Sequence, residues 1–153
     1  MPQAVKYQER FDDITELVQG ANTAEDAQAR VVEHLYERFR CYDWVGIYRL
    51  EGEELMLGPW KGKAATEHVR IKRGEGVCGA CAVSGKTEVV PDVSADARYL
   101  ACFSETKSEI VVPIIKNGRF WGEIDIDSST LNAFGPDDVE FLEALAKLLA
   151  GRV

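Results

Sequence analysis

Apolar residues near the start of the chain recur at spacings of three and four. Phe11, Ile14, Leu17 and Val18 form one face of a helix ending near Gly20. Thr23 with Asp26 three positions on resembles a capping box, with Asp in place of the usual Glu or Gln. It predicts a second helix whose stripe is Ala27, Val31, Leu35, Tyr36 and Phe39. From Tyr42 the texture becomes aromatic and β-branched. Residues 44–50 and 55–59, parted by Glu51-Gly52-Glu53-Glu54, predict a hairpin. Residues 68–71 and 87–90 predict short strands, with a small-residue helix over 77–84 between them. Residues 93–107 have weak periodicity and predict a long excursion over one sheet face, a length that in compact domains usually serves function. Residues 109–115 and 119–127 flank Asn117-Gly118, the dipeptide of a type I′ hairpin. Gly135-Pro136-Asp137-Asp138 then opens a last helix with Phe141, Leu142, Leu145, Leu148 and Leu149 on its apolar face. Two helices, about six strands and a terminal helix predict an α+β fold: a central antiparallel sheet with the N- and C-terminal helices on one face.

The 153 residues fit one domain, with helices over 1–40 and a core over 42–149. Hydrophobic residues at 46% and charged residues at 29% supply a core without disulfide or metal staples. The net charge of −8 argues against a general nucleic-acid binder, which needs a basic surface to neutralise phosphates. Neither a signal peptide nor a membrane-length apolar run is legible, so the expectation is a cytoplasmic protein with no membrane partner. Its four cysteines are then expected as free thiols.

Cys78 and Cys81 form a C-x-x-C, the spacing of a redox pair, of half a zinc site, or of two buried thiols in a small-residue helix. Zinc needs about four ligands, and neither a second C-x-x-C nor a paired-histidine motif accompanies them, so no metal is expected. Cys102 lies instead in the long excursion, where a nucleophilic thiol has access. Glu109 begins one strand of the Asn-Gly hairpin, and Asp125 and Asp127 end its partner on a shared face. Gathered carboxylates repel, and burial raises at least one pKa, leaving a proton donor beside an anionic site. Trp44 and Tyr48, four apart in a strand, also share a face, with Trp60 and Trp121 as further rings. An aromatic wall beside carboxylates suits a small apolar group bearing an ammonium.

The segments DWVGIY, LGPWKGK, GEGVCG, VVPDV, LACFSETKSEIVVPI and GEIDIDS together resemble a GAF domain. More narrowly, they resemble the free methionine-(R)-sulfoxide reductase family of single GAF-domain enzymes. The resemblance implies that Cys102 is the catalytic thiol and that Cys78, in the GVCG segment, joins the disulfide relay. It further implies that Glu109, Asp125 and Asp127 hold the substrate and assist the sulfoxide oxygen, with Trp44 and Tyr48 on the aromatic side. One departure stands out. Active members commonly carry a resolving cysteine after the GK of LGPxxGK, whereas residues 62–69 here are two longer and contain none. Turnover then depends on Cys78 or Cys81. The implied reaction is reduction of free methionine-(R)-sulfoxide through a cysteine sulfenic acid and a disulfide, with thioredoxin as reductant and no cofactor. The alternative is a non-catalytic module that binds a small amine or amino acid, or senses redox state, on the same pocket. A homodimer through the terminal helices is the expected assembly.

Overall fold

The structure, a computed structural model, describes the backbone of residues 2–100 and 103–153 and the side chains of residues 7–100 and 103–153. Helices α1 (Pro2–Gln19) and α2 (Ala24–Arg38) lead into β1 (Trp44–Glu51), β2 (Glu54–Gly62) and β3 (Arg70–Lys72). Then come α3 (Gly76–Ser84), β4 (Glu88–Val90), a 3-10 turn at Val93–Ala95, β5 (Ser108–Lys116), β6 (Arg119–Ser128) and α4 (Pro136–Ala150). The strands form one antiparallel sheet in the order β3-β2-β1-β6-β5-β4.

Local chemistry sets the boundaries. The Thr23 side chain accepts from the Asp26 amide at 3.0 Å, so the capping residue starts α2 where its spacing predicts. Asn117 and Gly118 both take positive φ, 52° and 75°, as a type I′ turn between β5 and β6 requires. At α4, Asp138 accepts from the Gly135 amide at 2.9 Å and from the Tyr42 and Tyr7 hydroxyls at 2.6 and 3.0 Å. One carboxylate thus pins the start of α4 to α1 and to the entry of β1.

The sheet buries both faces. On one face α1, α2 and α4 cover Val45, Ile47, Ile110, Val112, Ile114, Ile124 and Ile126. The opposite face carries Trp44, Tyr48, Leu55 and Val111 under α3 and the excursion after β4. The N- and C-terminal helices therefore share one face, as the α+β reading expects. No helix among the described residues is long and apolar enough to cross a membrane.

Two irregularities depart from simple strand alternation. Between β1 and β2 the register shifts so that Gly58 and Pro59 face Ile47, which lets β2 run through Pro59 to Gly62. Between β5 and β6 it shifts at Trp121, with Ile115 opposite Phe120 but Ile114 opposite Gly122. Trp121 consequently packs against the helix-side core, while Phe120 lies on the opposite face. Trp121 is therefore no part of an aromatic wall beside the acids.

Candidate active site

The β6 bulge decides where the acids go. Counted straight from the turn, Glu109 would oppose Ile126; the extra residue at Trp121 brings it opposite Asp127 and sets Val111 opposite Asp125. Beyond the bulge, every second β6 residue faces away from the helices, so Glu123, Asp125 and Asp127 project together. All three, with Glu109, are at most 5% exposed, and Glu123 is wholly buried. Glu123 belongs to this row although the motif reading passed over it. The alternation of GEIDID was the signal that identifies it.

Helix α3 closes over the row. It is built from small residues, and a Cβ on Gly79 would come within 2.8 Å of the Gly74 backbone and the Lys72 carbonyl. That close approach holds α3 against the turn after β3, and Cys78 and Cys81 pack into the core on this face. The Cys78 Sγ and one oxygen each of Glu109 and Asp125 all lie within 4.8 Å of one another. The thiols of Cys78 and Cys81 both meet the Glu123 carboxyl. Neither Glu123 oxygen receives a well-aligned hydrogen bond among the described residues, and the same holds for Asp125 Oδ1 and Asp127 Oδ1.

Burial without matching donors sets the protonation. Desolvation first, then the charges of Asp125 and Asp127, push the Glu109 carboxyl well above the usual range. Asp127 and Glu123 rise for the same reasons, burial and then the Asp125 charge. Asp125 is raised by burial alone, against hydrogen bonds from Glu109 and Cys78 that favour its ionised form. Both thiols are pushed up too, by burial and then by the nearby carboxylates. An isolated ionised carboxylate in such a place costs several kcal/mol, so burial favours the protonated forms of these acids. The row can donate a proton to a departing oxygen and keep negative charge for a cation.

A cavity of about 240 Å³ opens beside this row, lined among others by Trp44, Phe103, Lys63, Thr106 and Asp127. Trp44 lies flat over two glycines: a Cβ on either Gly46 or Gly62 would come within 2.3 Å of its ring. Trp60 stacks on it with centroids 6.2 Å apart and planes at 12°, and Phe103 tilts against it at 6.3 Å. Lys63 supplies a cation at the wall. Tyr48 lies deeper on the same face, 1% exposed, with its hydroxyl donating to the His68 carbonyl at 2.7 Å. It anchors the segment between β2 and β3 and is not among the cavity-lining residues.

Of the residues picked from the sequence, Trp44, Cys78, Cys81, Glu109, Asp125 and Asp127 thus gather on one face under α3. Cys102, the expected nucleophile, lies outside the described residues.

Residues 23–153 match the family model of the GAF domain. The chain is 47% identical over 124 residues to the free methionine-R-sulfoxide reductase of Saccharomyces cerevisiae, an alignment covering 78% of this chain and 68% of the relative. It is 39% identical over 147 residues to GAF domain-containing protein A of Dictyostelium discoideum, covering 93% and 91%. The X-ray structure of the free methionine-R-sulfoxide reductase of Neisseria meningitidis in complex with its substrate superposes with a TM-score of 0.92. Its sequence is 38% identical, and the match covers 98% of this chain and 89% of that one.

Proposed function

The chain belongs to the GAF domain family, and on that premise we propose that it is an enzyme reducing free methionine-(R)-sulfoxide to methionine. The observation that carries the proposal is the buried row of Glu109, Asp125 and Asp127 beside an aromatic-walled cavity, where burial raises the pKa values of the acids. The substrate's ammonium sits against the carboxylates, its S-methyl group against Trp44, and its carboxylate toward Lys63. A free amino acid carries that ammonium, whereas a methionine residue within a polypeptide does not.

The Cys102 thiolate attacks the sulfoxide sulfur while a protonated carboxyl of the row donates to the departing oxygen. Two electrons pass from Cys102 to the sulfoxide: methionine leaves and Cys102 becomes a sulfenic acid. Cys78 or Cys81 condenses with it, releasing water and forming a disulfide. Thioredoxin in the cytoplasm reduces that disulfide, so both electrons come from its dithiol. Cys78 and Cys81 both lie on the acid-bearing face, and mass mapping of the disulfide formed tells which of them resolves Cys102. Neither a metal nor an organic cofactor takes part, and the working unit is a homodimer.

The test is steady-state NADPH oxidation with thioredoxin and thioredoxin reductase, supplied with each sulfoxide epimer. Oxidation with the (R) epimer, and its loss in Cys102→Ser, is the expected result. Equal rates with both epimers, or none with either, would refute the proposal. In the latter case, saturable binding of the sulfoxide would leave a ligand-binding module as the reading.

A further inference from the structure

We propose that Cys78, Glu109 and Asp125 form a binding site for one borderline-soft divalent cation, for which Zn²⁺ is the probe. The spacing of cysteines along the chain gives no such site, because its C-x-x-C has no second pair. Folding supplies what the spacing lacks by carrying two carboxylates from β5 and β6 under α3.

The donor set is one thiol sulfur and two carboxylate oxygens, all within 4.8 Å of one another and all but fully buried. Around tetrahedral zinc, with Zn–S about 2.3 Å and Zn–O about 2.1 Å, neighbouring donors stand roughly 3.5 Å apart. Side-chain adjustments of about an ångström close the difference. Three protein donors and a water are the pattern of an open zinc site. The thiolate selects zinc over the hard cations magnesium and calcium, which take oxygen ligands and more of them.

A second observation points to a missing cation. Asp125 Oδ1, on a side chain 5% exposed, receives no well-aligned hydrogen bond among the described residues, and the wholly buried Glu123 has only the weak thiol donors of Cys78 and Cys81 beside it. No Lys or Arg is among the groups that perturb Glu109, Glu123, Asp125 or Asp127. Uncompensated buried acids of this kind are compensated by protons or by a bound cation. On binding, the Cys78 thiol and any protonated carboxyl among the ligands release their protons to solvent, and the metal takes their place.

The site overlaps the acids assigned above to the substrate ammonium, so the cation and the amino acid exclude each other. That consequence rests on the reductase reading; the metal site itself does not. The test is therefore direct binding. The reduced full-length chain is titrated with Zn²⁺ alone against a chromophoric chelator. One equivalent per chain is expected, weakened at least about tenfold by Cys78→Ser and by Asp125→Asn. Cys41→Ser, in the half-buried connection between α2 and β1, is expected to leave it unchanged. Cd²⁺ is expected to give a thiolate-to-metal absorption band that Cys78→Ser removes. Asp125→Asn, which deletes a buried charge, keeps the test decisive if Cys78→Ser fails to fold. No equivalent retained, affinity unchanged in both site variants, or loss on Cys41→Ser alone overturns the proposal, whatever the chain does with methionine sulfoxide.

Discussion

At the scale of single residues, four buried carboxyls with few donors dominate the site. Each would ionise near pH 4 in an unfolded chain, yet burial holds Glu109, Glu123 and Asp127 well above that. The folded state therefore binds more protons than the unfolded state from about pH 4 upward. Its stability falls as pH rises through the raised pKa values. Glu123 isolates the effect because its side chain is wholly buried and faces the two thiols. Glu123→Gln is expected to lose the Glu123 share of that pH dependence. Its thermal midpoint, equal to or below that of wild type near pH 5, should rise relative to wild type as the pH is brought to 8. A difference between the two proteins that is constant across this range would show that Glu123 does not stay protonated. At this scale the sequence was informative in kind. Acids inside otherwise apolar strands need a reason, and Glu109, Asp125 and Asp127 were found that way. Glu123 escaped because the cue in the sequence lay in the acids at the far end of the strand, and only the alternation of β6 puts it in the row.

The elements explain why the row exists at all. The Asn-Gly turn and the alternating strands were legible, and both hairpin partners follow within a residue or two of their expected ends. The bulge at Trp121 was not, because a single extra residue leaves no mark in a hydrophobic pattern while inverting the face of everything on one side of it. The helix-side location of Trp121 and the pairing of Glu109 with Asp127 are the two consequences. Glycine plays the corresponding part for Trp44. Gly62 lies directly across from it in β2, and its missing side chain is the space the indole occupies. Gly62→Ala is expected to lower stability by about 1–3 kcal/mol through overpacking and to tilt the ring off its seat. Denaturant unfolding and tryptophan fluorescence measure these two effects, and a KM raised without a matching fall in kcat would place the damage in the pocket wall. Unchanged fluorescence and stability would mean that Trp44 has another seat.

Across the whole molecule the sheet divides the labour. Helices α1, α2 and α4 cover one face with aliphatic side chains, and Asp138 ties them to β1 through Tyr7 and Tyr42. The acids, the C-x-x-C and the cavity occupy the other. Leu142, wholly buried on the helix side, therefore bears on stability alone. Leu142→Ala is expected to cost about 2–5 kcal/mol in denaturant unfolding while the folded fraction keeps its kcat/KM. A large fall in kcat/KM in fully folded protein would instead mean that the two faces are coupled. The two-layer plan could be read from the order of helices and strands, since their apolar faces have few ways to pack. The meeting of α3 with β5 and β6 could not, because it rests on the packing of a short small-residue helix that has no periodic signal of its own.

Electron transfer from Cys102 to a sulfoxide held by the carboxyl row, as proposed above, is read out by a single turnover. The reduced protein is mixed with free methionine-(R)-sulfoxide without any external reductant, and the methionine released per chain is counted. About one methionine per chain is expected from the (R) epimer, none from the (S) epimer, none from Cys102→Ser, and a disulfide linking Cys102 to Cys78 or Cys81 afterwards. Methionine released equally by Cys102→Ser, or no methionine from the wild-type chain, would contradict the proposal.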